Sequence, residues 1–131
     1  MNSMREQIRS RLTVERREDG FRALLNVDSS ISVLPDHFPN FPVLPGICLM
    51  QAVVIAGAIR HGVEDLRVRS MKKAKMMRPV VPGDQVVIDA EMTAVANRDF
   101  LIKAKLSNGE SRCAEFSLVA GPAMVAKGTR P

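Results

Sequence analysis

The 131-residue chain contains no tryptophan and no tyrosine, and its aromatic complement is five phenylalanines. Base stacking, the usual aromatic contribution to nucleic-acid binding, therefore has few platforms here, and no nucleic-acid partner is expected. Nineteen Lys and Arg against fourteen Asp and Glu leave a formal net charge of +5, which favours acidic partners without identifying one. The two cysteines, Cys48 and Cys113, stand at no metal-type spacing, so free thiols are expected and neither a metal nor a cofactor is called for. No apolar run reaches the roughly 20 residues of a membrane-spanning helix. The first residues are charged and lack an apolar signal segment, which points to a cytoplasmic protein. There is no internal repeat and no low-complexity linker. One domain is expected over residues 1–120, followed by a poorly ordered tail over 121–131.

Proline is present where it matters most. Pro39, Pro42 and Pro45 fix φ and remove backbone donors, so residues 35–45 form a stiff, irregular connector that holds His37. From Gly46 the character changes. Ile47, Cys48, Leu49, Met50, Ala52, Val53, Val54 and Ile55 are apolar on every side of a 3.6-residue period, with Gln51 the one strongly polar side chain. A helix apolar all round belongs inside a domain. Arg60-His61-Gly62 supplies a cationic last turn and a glycine suited to the residue after it, so the helix is predicted over 46–61.

The flanking sequence alternates with period two. Leu12 and Val14, then Phe21, Ala23, Leu25 and Val27, predict a hairpin with one apolar face. After the helix, residues 66–78 read as a cation-dense strand closed by Pro79 and Pro82-Gly83-Asp84. Val86 to Ala94, Phe100 to Leu106 and Ala114 to Leu118 complete the pattern, with Asn108-Gly109 predicting a type I′ turn. The expected order is hairpin, buried helix, then a four-strand antiparallel meander, an α+β class. Met71, Met76 and Met77 are read as core, and Cys48 as packing rather than a nucleophile.

His37-Phe38-Pro39-Asn40-Phe41-Pro42-Val43-Leu44-Pro45-Gly46 resembles the motif that introduces the central helix of the 3-hydroxyacyl-acyl-carrier-protein dehydratases. The stretch from Lys72 to Asp84 looks like the basic strand and Pro-Gly-Asp turn of the same family. The resemblance implies a hot-dog fold, in which an antiparallel sheet wraps a buried helix. It also implies a homodimer, or a higher assembly of dimers, with each active site shared between the loop of one chain and the helix of the other. The implied chemistry is reversible loss of water from a 3-hydroxyacyl thioester on acyl carrier protein or coenzyme A. His37 would take the C2 proton and the Gly46 N–H would hold the thioester carbonyl, while Phe38, Pro45, Ile47, Met50 and Val54 would line the acyl pocket.

Counted from the motif glycine, the family's helix carboxylate falls on position 51, which is glutamine here. An amide can orient a hydroxyl but cannot shuttle a proton near neutrality. Asp36 and Glu64 are the nearest acids, and neither is an evident substitute. Arg69, Lys72, Lys73, Lys75 and Arg78 are either a solvated strand edge or the contact for an acidic carrier protein. Three functions follow: a dehydratase with Gln51 positioning the hydroxyl, an acyl-chain or carrier-protein binding module, and a hot-dog thioesterase.

Overall fold

The computed structural model describes residues 3–31 and 43–122. Helix α1 (Met4–Ser10) begins at Ser3, whose hydroxyl accepts from the Glu6 N–H at 3.1 Å while the Glu6 carboxylate accepts from the Ser3 N–H at 2.9 Å. This reciprocal cap satisfies two end amides and lets so short a helix form. Strands β1 (Leu12–Arg17) and β2 (Gly20–Asn26) make the expected hairpin, with Phe21, Ala23 and Leu25 buried on one face of β2.

Helix α2 spans Gly46–His61, as the apolar run predicts, and stops where Gly62 turns left-handed at φ 66°. Its buried residues run from Cys48 round to Ala58 with no polar gap except Gln51, because α2 packs on the sheet on one side and on α1 on another. Full burial of a Leu, Val or Ile side chain stabilises by roughly 1.5–3 kcal/mol, so Leu49, Val53, Val54 and Ile55 anchor the fold. No helix among the described residues is long and apolar enough to cross a membrane.

Strands β3 (Leu66–Met76), β4 (Gln85–Ala94), β5 (Phe100–Asn108) and β6 (Ser111–Pro122) follow, but they are not a four-strand meander. The sheet order is β1-β2-β4-β5-β6-β3, antiparallel throughout, with β3 paired to β6 at the far edge. The reason lies in the connector after β3. Val80 is buried and its carbonyl accepts from the Leu44 N–H at 2.7 Å, while Gly83 N–H donates to the Val27 carbonyl at 2.8 Å. The proline-bounded segment thus crosses the end of the sheet and delivers β4 beside β2 instead of reversing into a hairpin.

Two smaller expectations also change. The turn between β5 and β6 is Gly109-Glu110, with Asn108 paired to Ser111 in the ladder and positive φ at Gly109 but not at Asn108. Glycine at the first central position is the type II′ requirement, so the predicted turn shifts by one residue. Strand β6 also takes Gly121 and Pro122 from the expected tail, pairing them with Arg67 and Leu66. Residues 123–131 lie outside the described residues.

Candidate active site

The start of α2 has no side-chain cap. Pro45 is its N-cap with extended backbone, and its first turn holds no acid. The first amides of a helix have no partner within it and carry the positive end of its dipole. Cys48 N–H donates back to the Pro45 carbonyl at 2.9 Å, while the tie from Leu44 to Val80 fixes the approach of the chain. Gly46 and Pro45 are half-buried, Met50 likewise, and Ile47 is 61% exposed. Val54 is inside the core.

Gln51 lies about 7.5 Å of helix rise beyond Gly46. Its Oε1 is buried and has no hydrogen-bond partner among the described residues. A buried acceptor left without a donor costs roughly 1–3 kcal/mol. Cys48, three residues earlier, is buried, and desolvation pushes its thiol pKa up, which keeps it protonated and suits a packing role. His37 and Phe38, and with them Asp36, fall outside the described residues. Glu64 lies past the helix end in a groove with Arg5, Arg9 and Ile55.

The cations of β3 and its connector are all exposed. Arg69 pairs with Asp99 at 3.4 Å and Lys73 with Glu115 at 2.9 Å; Lys72, Lys75 and Arg78 form no ion pair with described residues. The methionines correct the sequence reading. Met71, Met76 and Met77 are 38%, 46% and 37% exposed rather than core, because β3 is the sheet edge and α2 covers it only in part. Met76 reaches over the helix start: a Cβ on Gly46 would stand 3.3 Å from its Sδ. Sequence reasoning missed this neighbour, although the period-two pattern of β3 could have shown it facing the helix. A larger groove, of about 790 Å³, lies on the outer face of the sheet between charged side chains such as Arg22, Asp89, Lys103 and Lys105, and meets the predicted residues at Lys73 alone.

A buried helix set against this antiparallel sheet defines a hot-dog protein. The comparisons carry this further. The sequence model of the ApeI-like family, described as ApeI dehydratase, matches residues 13–116, and the chain belongs to that family. Among curated relatives, the 3-hydroxyacyl-[acyl-carrier-protein] dehydratase FabZ of Koribacter versatilis is 30% identical over 79% of this chain and 70% of its own. The FabZ of Streptococcus sanguinis is 31% identical over 80% and 84%. Of solved structures, the dehydratase heterocomplex ApeI:P from Xenorhabdus doucetiae matches with a TM-score of 0.69 at 16% identity, covering 84% of this chain and 95% of that one. The PaaI protein of the Escherichia coli phenylacetic acid degradation operon matches at 0.64 and 12%, covering 90% and 87%. Both show the fold alone.

Proposed function

We propose that the chain takes part in the reversible dehydration of a 3-hydroxyacyl thioester to the 2-enoyl thioester, in fatty-acid or polyketide-type metabolism of the cytoplasm. His37 removes the C2 proton, the Gly46 N–H receives the charge that develops on the thioester carbonyl, and Gln51 orients the 3-hydroxyl. The observation that supports this reading is the Gln51 Oε1, a buried acceptor with no partner among the described residues that a substrate hydroxyl would satisfy.

The site is shared by two hot-dog chains, in the simplest assembly two copies of this one, with the His37 loop of one facing Gln51 of the other. Between identical chains the departing hydroxyl has one evident proton source, the His37 imidazolium made in the first step. Pro45, Ile47, Met50 and Val54, with Phe38, flank the acyl chain. Arg69, Lys72, Lys73, Lys75 and Arg78 meet the acidic carrier protein, or the phosphates of coenzyme A.

The missing carboxylate also supports a second reading, a module that binds acyl carriers without turning them over; thioester hydrolysis ranks below both. Enoyl formation from a 3-hydroxyacyl thioester, followed by absorbance beside a thiol-release assay, separates them. Enoyl product absent in His37→Ala supports the proposal. Thiol release without enoyl product, or saturable binding with neither, overturns it.

A further inference from the structure

Beyond its chain neighbours and the backbone of its own helix turn, the three atoms nearest to where a Cβ on Gly46 would stand all belong to Met76: Sδ at 3.3 Å, Cγ at 3.6 Å and Cε at 3.7 Å. The end of β3 holds the thioether there. Met76 pairs with the buried Ala114, which puts its side chain on the helix side of the strand. Just beyond it, the Met77 and Arg78 N–H groups both donate to the Cys113 carbonyl, at 2.8 and 3.2 Å. Met76 is also the most exposed methionine among the described residues.

The other sulfur atoms of this region are less suited to attack by an oxidant. Cys48, in the first turn of α2, is buried, and desolvation raises its thiol pKa, whereas the thiolate is the reactive form. Met50, one residue before Gln51, is half-buried. Met71 and Met77 are exposed, but neither is among the near neighbours of Gly46.

The N–H groups of Gly46 and Ile47 stand at the first two helical positions, without a partner inside the helix and without a side-chain cap. A thioether sulfur is a weak acceptor and leaves them to other ligands. Its sulfoxide is polar, with an oxygen one bond beyond the sulfur that already lies against Gly46.

We propose that Met76 is an oxidative modification site that governs access to the start of α2. Hydrogen peroxide is the oxidant: the Sδ lone pair attacks one peroxide oxygen, the S–O bond forms as the O–O bond breaks, and the other oxygen leaves with both protons as water. Sulfur is oxidised and peroxide reduced. The new oxygen accepts from the Gly46 or Ile47 N–H and occupies the place of the thioester carbonyl, and a methionine sulfoxide reductase reverses the change. This rests on the role proposed above for the Gly46 N–H, since a thioester that reaches this amide passes the same sulfur.

The test treats the whole protein with hydrogen peroxide, maps the oxidised methionines by peptide mass spectrometry, and follows enoyl formation beside hydrogen exchange of the Gly46 and Ile47 amides by NMR. Enoyl formation should fall roughly 10²-fold in step with oxidation of Met76, the usual loss for one oxyanion donor, and return with reductase. One of the two amides should exchange roughly two- to tenfold more slowly, as an ordinary hydrogen bond would require. Met76→Leu should keep its starting rate through the same exposure, while Met71→Leu/Met77→Leu should lose activity as the wild type does. Met76 left unoxidised while Met71 and Met77 react, or exchange unchanged at full Met76 oxidation, overturns the proposal, as does activity lost equally in Met76→Leu. The two readings fail separately. An active protein whose rate survives complete oxidation of Met76 keeps the dehydratase and loses the switch, whereas slowed amide exchange in a chain that forms no enoyl product before or after treatment keeps the modification site and sinks the dehydratase.

Discussion

Met76 Sδ lies 3.3 Å from the point where a Cβ on Gly46 would stand, so the edge strand roofs the residue that opens the central helix. Gly46→Ala therefore presses on the flexible end of one side chain. Alanine also restricts the unfolded chain by roughly 0.4–1 kcal/mol, so stability should change by no more than about 1 kcal/mol. On the proposed role of the Gly46 N–H, dehydration should fall at least tenfold, because the added methyl group and the displaced Met76 crowd that amide. Met76→Ala in that background should recover part of the rate. Urea melts run beside the enoyl assay decide it, and an unchanged rate would remove Gly46 from the site.

Gly20 offers the opposite case. A Cβ there would stand 2.0 Å from the Ala90 carbonyl oxygen and 2.9 Å from its carbon, both backbone atoms of the neighbouring strand. No rotamer relieves that clash, so β2 and β4 must separate. Gly20→Ala should destabilise by about 2 kcal/mol or more, near the top of the range for overpacking. Equal melts for Gly20→Ala and Gly46→Ala would refute the distinction between a backbone wall and a movable side chain.

These two glycines also show what the sequence made legible. Helix α2 was readable to its last residue, since an apolar run bounded by Pro45 and Gly62 leaves little freedom. Period two exposed the faces of β2, β4 and β5. Strand order was hidden, because adjacency along the chain implies a meander until the buried Val80 and its hydrogen bond to Leu44 reveal a crossing connector. Gln51 could be found by counting from the motif glycine. That its oxygen is buried with no partner among the described residues could not, since this depends on where the neighbouring chain runs.

Cys48 and Cys113 are both buried, and desolvation raises the pKa of each thiol, lowering its thiolate fraction at any pH near neutrality. Neither should react with an aromatic disulfide reagent at pH 8 in the native protein, and both should titrate in denaturant. Fast reaction of one native thiol would contradict its packing role.

Asp28 sits at the exit of β2, just before the stretch that carries His37. Arg11 donates to it at 2.9 and 3.3 Å, and Ser30 donates through its N–H at 2.9 Å and through its hydroxyl. The Arg11 hydrogen bond above all, then those from Ser30, lower its pKa from 3.8 to about 2. A carboxylate with depressed folded pKa contributes stability that is fully present above its unfolded value and lost as pH falls through the folded one. The contribution should hold above about pH 4 and fade towards pH 2, and Asp28→Asn should abolish this dependence. The group is exposed, so the effect is small. A carboxyl NMR midpoint at 3.8 would show that the cluster does not form in solution.

Gln51 itself provides the sharpest contrast between stability and function. Its Oε1 is buried with no partner among the described residues, so Gln51→Leu should leave the protein as stable or up to about 2 kcal/mol more stable, while removing any orientation of the substrate hydroxyl. A marked loss of stability would mean that the amide is bonded after all. Gln51→Glu keeps the shape and supplies a proton donor whose pKa burial raises towards neutrality. Dehydration should then rise at least tenfold, part of the 10²–10⁴ that a positioned acid or base contributes, and His37→Ala should erase the gain. If Gln51→Glu changes nothing while the wild type is already fast, the second proton is handled elsewhere, with Asp36 the first residue to replace. If neither protein turns over but both bind an acyl carrier in a salt-sensitive way that survives His37→Ala, the chain is a binding module and the unpaired amide belongs to its acyl pocket.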